Sequence, residues 1–130
     1  MHPLMNTPDL QNQLERIGSR LDGEMHVSRL IRTAYSTDAS VYRETPLAVA
    51  IPRSDDDLQT LINLASDLQL PLIPRAAGTS LAGQVVGNGI IVDISQHFTR
   101  ILEINASQQW VRVQPGVIRD ELNLALKPFG

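Results

Sequence analysis

The sequence predicts an α+β fold in which a small parallel βαβ lobe is followed by the start of an antiparallel α+β lobe. Apolar runs of strand length at residues 47–51 and 70–74 flank a stretch with helical periodicity. That order, strand then helix then strand, is typical of a mainly parallel sheet. Two further extended runs, at 100–104 and 110–114, surround a turn-rich stretch and predict a hairpin that begins a second sheet.

The first element is a helix predicted over residues 7–23. Thr7 stands as the N-cap, Pro8 takes the first helical position, and Asp9 lies where the helix dipole favours an acid. Gly23 is predicted to end the helix. The apolar residues at helical spacing are Leu10, Leu14, Ile17 and Leu21.

Residues 25–39 are less regular, and residues 38–43 are predicted to form a turn that leads into an extended segment. The periodicity sharpens at the strand 47–51. Ser54 then caps a helix whose first turn holds three aspartates, which favour the positive end of the helix dipole. Strands at 70–74 and 90–94 complete the parallel lobe. The three aspartates are Asp55, Asp56 and Asp57, and the apolar stripe of the helix is Leu58, Leu61, Ile62, Ala65 and Leu68.

The hairpin is followed by a helix predicted over residues 117–126. Pro128 comes next and reads as the start of a connection, so we expect this chain to be the front part of a larger domain. We divide it into an N-terminal helical segment (1–29), a first lobe (30–98) and an incomplete second lobe (99–130).

Composition narrows the classes of function. Apolar residues make up 42% of the 130 residues, enough for a core, and the formal net charge is only −3. A single lysine, Lys127, and no basic stripe argue against nucleic acid. Without cysteine, and with isolated histidines, no metal site is predicted. No apolar run approaches the ~20 residues of a membrane span, and residues 1–6 lack signal-peptide features, so a cytoplasmic protein is expected.

The most informative stretch follows the strand 70–74, and we call residues 76–84 the small-residue loop. Before Leu81 it holds only small or hydroxyl-bearing residues, which let a ligand approach the main chain closely. Successive N–H groups that point into one concavity bind an anion, and Thr79 and Ser80 can add hydroxyl donors. A tight connection that merely turns explains the same composition equally well.

Two better-known phosphate motifs are excluded. Gly78 and Gly83 imitate the spacing of a P-loop, but Gln84 and Val85 stand where Lys and Ser or Thr are required. The dinucleotide fingerprint of Rossmann folds fails because its glycine spacing is not met.

The stretch 75–84, Arg-Ala-Ala-Gly-Thr-Ser-Leu-Ala-Gly-Gln, resembles the pyrophosphate loop of the vanillyl-alcohol-oxidase-like (PCMH-type) FAD-binding domains. The strand and helix of 46–65, the strand 90–95 and Val-Arg-Val-Gln-Pro-Gly at 111–116 agree with this. Within that superfamily, the Ala-Ala variant and the segment 35–43, Tyr-Ser-Thr-Asp-Ala-Ser-Val-Tyr-Arg, resemble bacterial D-lactate/glycolate dehydrogenase-like FAD-linked oxidases. Many of these join the flavin domain to an iron–sulfur region.

The resemblance implies a truncated PCMH-type fold that holds FAD non-covalently between its two lobes. Some relatives attach the flavin through a His at the position of Thr79, and a hydroxyl cannot form that bond. The family's catalytic His and substrate-binding Arg residues fall beyond Gly130, so no catalytic residue is assigned here. The implied cofactor-binding residues are Ala76, Ala77, Gly78, Thr79 and Ser80 at the pyrophosphate, Gly83 and Gln84 in the same cleft, and Pro115 and Gly116 from the second lobe.

The resemblance further implies that the parent protein oxidises a 2-hydroxy acid of the D-lactate or glycolate type and passes the electrons to another acceptor, with an iron–sulfur cluster in the C-terminal region. This chain alone is expected to be inactive and to self-associate through the apolar surface of its unfinished lobe. Two alternatives stay open: a non-enzymatic α/β interaction or regulatory module, and a flavoprotein of the UDP-sugar reductase type.

Several polar residues near the loop have mainly structural interpretations. Arg75, just after a strand, is predicted to pack against carboxylates or loop carbonyls rather than to bind phosphate. Asp93 is predicted to cap the turn at residues 95–96. For Tyr42 and Arg43 a place in the lining of the flavin cleft is the less favoured reading.

Overall fold

The computed structural model describes residues 7–130, with side chains from Asp9 onward. The side chain of Thr7, predicted to cap the first helix, and residues 1–6, predicted to lack signal-peptide features, lie outside this description. The helices are α1 (Thr7–Gly18), α2 (Arg29–Ala34), α3 (Asp55–Leu68) and α4 (Arg119–Leu126), with a 3-10 turn at Lys127–Phe129. The strands are β1 (Glu24–His26), β2 (Ala48–Ile51), β3 (Leu72–Arg75), β4 (Ile90–Asp93), β5 (Ile101–Asn105) and β6 (Trp110–Val113).

A four-stranded sheet has the order β1-β2-β4-β3. Strands β2, β4 and β3 run parallel, with Ile91 opposite both Val49 and Ile73. A separate antiparallel hairpin pairs β5 with β6, and Ile104 lies opposite Val111. The parallel lobe, the hairpin and the α+β class are therefore confirmed.

Both faces of the four-stranded sheet are covered. Because side chains alternate along a strand, β2 sends Ala48 and Ala50 to one face and Val49 and Ile51 to the other. Burial on both faces explains why the central strands are unbroken apolar runs. The first face packs against α1 and α3 through Leu14, Leu61 and Leu64, and the second against the α2 region through Ile31 and Tyr35.

The start of α3 shows a second role for one of its three aspartates. Ser54 caps the helix as predicted, its Oγ accepting the N–H of Asp57 at 3.2 Å. The buried carboxylate of Asp57 accepts three main-chain N–H groups, from Asp22 (2.8 Å), Gly23 (2.9 Å) and Arg53 (2.8 Å). Burial raises the pKa of Asp57, but these hydrogen bonds outweigh it and hold the pKa below its ordinary value.

The prediction that the first helix ends at Gly23 is wrong, because α1 ends at Gly18. The chain must turn there so that β1 can pair with β2, and a Cβ on Gly18 would lie 2.7 Å from Cβ of Met25. Gly23 instead permits a close approach, since a Cβ there would collide with the carbonyl oxygen of Ile51. Both glycines are therefore packing positions.

The stretch 25–39, whose sequence pattern is less regular, contains short elements of secondary structure. It holds the last residues of β1 and all of α2. These elements are short and depend on tertiary partners, β1 through antiparallel pairing with β2 and α2 through packing on the second face of the sheet. None of the described helices is both long and apolar enough to cross a membrane.

Candidate functional site

The small-residue loop leaves the sheet at the carboxyl end of β3. Ligands of open parallel sheets bind at this edge. Gly78 (φ +69°) and Gly83 (φ +72°) both adopt the left-handed region, which costs a side-chain-bearing residue energy. The two glycines are therefore required by the path of the loop.

The first half of the loop presents unused main-chain donors. Among the described residues, none accepts a hydrogen bond from the N–H groups of residues 76–81. Thr79 is exposed, and its hydroxyl also has no partner there. A run of free N–H groups around a left-handed glycine is the arrangement that binds an anion, so a pyrophosphate fits the residues present.

The second half of the loop is held by its own side chains. The Oγ of Ser80 accepts the N–H groups of Ala82 (3.3 Å) and Gln84 (3.2 Å) and donates to Oε1 of Gln84. The hydroxyl of Ser80, predicted as a ligand donor, is thus occupied within the protein and shapes the turn. Thr79 keeps the free hydroxyl.

A second segment, residues 35–42, runs along the loop, and we call it the facing segment. The N–H of Ala39 donates to the carbonyl oxygen of Gly78 at 3.0 Å. The ring of Tyr42 covers Gly83, where a Cβ would lie 2.6 Å from Cδ2 of the ring. Tyr42 and Arg43 also line a cavity of about 270 Å³ beside Gly83, and a contact of either residue with the cofactor stays a prediction.

Arg75 joins the start of the loop to the facing segment. Its guanidinium stacks on the ring of Tyr35, 5.2 Å from the centroid, and its Nη1 donates to the carbonyl oxygen of Tyr35 at 3.3 Å. The prediction that Arg75 packs against a loop carbonyl is confirmed.

Tyr35 itself is anchored to the end of β4. Its hydroxyl donates to Oδ2 of Asp93 at 2.6 Å. The Oδ1 of Asp93 accepts two hydrogen bonds from Ser95, one from its N–H (2.9 Å) and one from its hydroxyl (2.6 Å). The predicted capping role of Asp93 is confirmed. Burial, together with the neighbouring Asp93, raises the pKa of Tyr35 to about 12, so the phenol stays a donor. Sequence reasoning missed Tyr35, because its partner is distant in the chain.

Asp38 lies in the middle of the facing segment. Its Oδ1 accepts the N–H of Ser40 at 2.8 Å. Its Oδ2 is buried, without a hydrogen-bond partner of normal geometry among the described residues. The hydroxyl of Ser40 lowers the pKa of Asp38 most, burial opposes this, and the N–H of Val85 and the charge of Arg75 lower it further. A carboxylate is thereby maintained close to both ends of the loop.

The second lobe approaches the same edge of the sheet through Gly116. Its N–H donates to the carbonyl oxygen of Phe98 at 2.8 Å, and a Cβ there would lie 2.6 Å from the carbonyl oxygen of Ile94. Ile94 in turn donates its N–H to the carbonyl oxygen of Arg75 at 3.0 Å. Gly116 is thus a packing glycine, and a contact of Pro115 and Gly116 with a cofactor stays a prediction.

No group of three or more potential metal-ligating side chains occurs in the described part of the chain.

Comparisons with known proteins agree with this geometry. The family model of the FAD binding domain matches residues 46–130. A D-2-hydroxyglutarate dehydrogenase of Pseudomonas putida is 40% identical, over 98% of this chain and 13% of its own length. Another from Pantoea ananatis is 47% identical over 83% of this chain and 11% of its own length. The glycolate oxidase subunit GlcD of Bacillus subtilis is 33% identical over 97% of this chain and 27% of its own length.

Solved structures show the same fold at low sequence identity. A 4-ethylphenol oxidase from Gulosibacter chungangensis has a TM-score of 0.75 and 19% identity, covering 98% of this chain and 26% of its own. An alkyldihydroxyacetonephosphate synthase has a TM-score of 0.73 and 16% identity, covering all of this chain and 26% of its own. The chain thus spans less than a third of the length of each of these proteins. Because the family match includes the small-residue loop and both sheets from β2 onward, this chain belongs to the FAD binding domain family.

Proposed function

We propose that this chain binds the pyrophosphate of FAD non-covalently within a flavin-dependent dehydrogenase, and that the whole protein oxidises a D-2-hydroxy acid. One observation carries the proposal. In a member of the FAD binding domain family, residues 76–81 present free main-chain N–H groups at the carboxyl edge of the parallel strands.

The loop residues divide into two roles. Ala76, Ala77 and Gly78 offer main-chain dipoles to the phosphate oxygens, and Thr79 adds its hydroxyl. The main-chain N–H of Ser80 belongs to the same donor set, while its hydroxyl shapes the turn. Gly83 and Gln84 line the same cleft, and Pro115 and Gly116 approach the flavin from the second lobe. The division into residues 1–29, 30–98 and 99–130 belongs to the same proposal, with FAD lying between the second and third units.

The flavin, when bound, supplies the capacity to accept a hydride from a carbon that carries a hydroxyl group. The residues of this chain hold and orient that cofactor. Main-chain N–H groups can bind the pyrophosphate charge through their dipoles.

The names of the relatives guide the choice of substrate. Four relatives of 40–47% identity are named D-2-hydroxyglutarate dehydrogenases, and others are named for glycolate and D-lactate. We therefore place D-2-hydroxyglutarate first and D-lactate and glycolate next. An iron–sulfur cluster in a C-terminal region, a separate electron acceptor, a cytoplasmic location and self-association of the isolated chain are further parts of the proposal.

The test uses the full-length protein, purified and examined for the absorption bands of oxidised flavin. Each of the three acids, with its L enantiomer where one exists, is then added anaerobically, and bleaching of the flavin is followed. Bleaching by D-2-hydroxyglutarate and not by L-2-hydroxyglutarate is the expected result. A colourless protein that cannot be reconstituted with FAD would favour the non-enzymatic module instead.

A further inference from the structure

We propose that Tyr35 and Arg75 form a positioning pair that holds the small-residue loop in its ligand-binding conformation before FAD arrives. The proposal rests on the proposed function, because it assigns the pair a role in cofactor affinity. Neither residue needs to touch the cofactor for this role.

The first step concerns the start of the loop. Arg75 is the last residue of β3, and its guanidinium turns back onto the ring and carbonyl oxygen of Tyr35. The same guanidinium fills the space beside Gly78, where a Cβ would lie 2.6 Å from Nη2. Arg75 therefore lies between the facing segment and the left-handed turn of the loop.

The second step concerns the rest of the loop. Contacts from the facing segment follow in the same order as the loop residues, first the hydrogen bond from Ala39 to Gly78 and then the ring of Tyr42 over Gly83. Both left-handed glycines are thus held from one side. The N–H groups of residues 76–81 are not used by these contacts and stay available.

The third step explains why Tyr35 can serve as a fixed point. Its hydroxyl is hydrogen-bonded to Asp93, a buried residue at the end of the central strand β4, and its ring packs against the second face of the sheet. The loop is therefore tied through Arg75 and Tyr35 to the buried central strand of the sheet. A loop ordered in advance loses less conformational entropy when it binds its ligand.

A direct role is the competing explanation: Arg75 could bind a phosphate as a point charge. The two roles differ in what Tyr35 does. An arginine that binds a phosphate as a point charge does not depend on the ring of Tyr35, and a lysine can largely replace it. A positioning arginine, in contrast, needs both the aromatic ring and the planar guanidinium that stacks on it.

The experiment measures the dissociation constant of FAD for variants of the full-length protein from which FAD has been removed. Tyr35→Ala and Arg75→Met are each expected to weaken binding about tenfold or more, and the double variant to add little, because coupled residues are not additive. Arg75→Lys is expected to resemble Arg75→Met. Tyr35→Phe keeps the ring but loses the bond to Asp93, and it is expected to bind FAD more tightly than Tyr35→Ala and more weakly than the wild type.

Hydrogen exchange of the FAD-free protein provides a second readout. The amides of Ala39, Ala82 and Gln84 are hydrogen-bonded to or within the loop, and they should exchange faster in Tyr35→Ala than in Tyr35→Phe, although no ligand is present. Wild-type affinity in both Arg75→Lys and Tyr35→Ala would overturn the positioning role. Unchanged loop exchange in Tyr35→Ala would overturn it as well. Failure of the wild-type protein to bind FAD would instead refute the proposed function, while the exchange result would still judge the contact between Tyr35 and Arg75.

Discussion

The guanidinium of Arg75 fills the space beside Gly78 so closely that a Cβ on Gly78 would lie 2.6 Å from its Nη2. The residue is also in the left-handed region, at φ +69°. A methyl group at this position therefore meets a steric obstacle and a backbone conformation that costs about 1–2 kcal/mol for a residue with a side chain. Both effects act on the loop that is proposed to bind FAD.

Gly78→Ala is accordingly expected to lower FAD affinity by about tenfold or more, because relief of the collision moves Arg75 or the loop. The measurement is flavin occupancy of the full-length protein together with its melting temperature. Gly18→Ala is the control, since its Cβ would meet Met25 at 2.7 Å, away from the loop. It should reduce stability and leave occupancy near that of the wild type. Equal occupancy in wild type and Gly78→Ala would contradict the site assignment.

The residue at position 79 decides how the flavin is attached. Because Thr79 cannot form the linkage that His forms in some relatives, acid precipitation of the full-length protein should release FAD into the supernatant. The absorbance of supernatant and pellet measures the partition. Flavin that stays with the precipitated polypeptide would indicate a covalent bond at another residue.

Asp57 is expected to contribute more to stability than its neighbours in the same helical turn. Asp57→Ala leaves three main-chain donors without their acceptor and should cost about 3 kcal/mol. The exposed Asp56 lacks such partners, and Asp56→Ala should cost roughly 0.5 kcal/mol through the helix dipole alone. Chemical denaturation measures both. A loss for Asp57→Ala no larger than for Asp56→Ala would show that the three hydrogen bonds add nothing.

The contribution of Asp57 should also depend on pH. Its pKa is lower in the folded than in the unfolded protein, so the folded state binds fewer protons between the two values and stability rises with pH there. The stabilisation is complete above the unfolded pKa of about 4 and is lost as the pH falls through the folded pKa. The difference in unfolding free energy between wild type and Asp57→Asn should therefore shrink as the pH is lowered from neutrality towards 3. A difference in unfolding free energy that stays constant across this range would contradict a lowered pKa of Asp57 in the folded protein.

Tyr35 should be visible in a spectrophotometric titration. Burial and its bond to Asp93 raise its pKa to about 12, so a tyrosine should ionise in that range, and the step should disappear in Tyr35→Phe. The raised pKa means that the neutral phenol is favoured by folding. The stability it provides is complete below the unfolded pKa of about 10 and is lost as the pH rises towards 12. If Tyr35→Phe leaves the titration curve unchanged, Tyr35 is not the buried donor.

The elements that sequence predicts well are those with their own local signals. Ser54 caps α3, so the start of that helix can be predicted, and most of its apolar stripe lies on the buried face. The stripe is wrong at two positions, because Ile62 is exposed and Leu64, which the predicted stripe omits, is buried. The hairpin and the strands β2 to β4 likewise carry their signals within a few residues. In contrast, β1 is a three-residue strand that exists through its pairing with β2, and Gly23 could be identified as a packing glycine only once Ile51 was beside it.

The candidate site divides in the same way. The small-residue loop can be recognised from its composition. Its glycines favour sharp turns, and the structure has Gly78 and Gly83 in the left-handed region. The network of Tyr35, Arg75 and Asp93 cannot be recognised from the sequence, because its hydrogen bonds join residues 40 and 58 positions apart and leave no local pattern. Ser80 was expected to offer its hydroxyl outward, but the turn that it closes with Gln84 uses that hydroxyl.

The place of β3 at one end of the sheet affects how molecules of this protein meet each other. An edge strand offers its N–H and C=O groups to strands of other chains and can start aggregation. Pro71 directly precedes β3 and Pro74 lies within it, and neither has an N–H to donate. Pro71 faces β4, because its carbonyl oxygen accepts the N–H of Ile90, so an incoming strand would find the gap in the hydrogen-bond ladder at Pro74, on the outer side of β3. The strand that leads into the small-residue loop is thereby protected from unwanted pairing, although its edge is open to solvent.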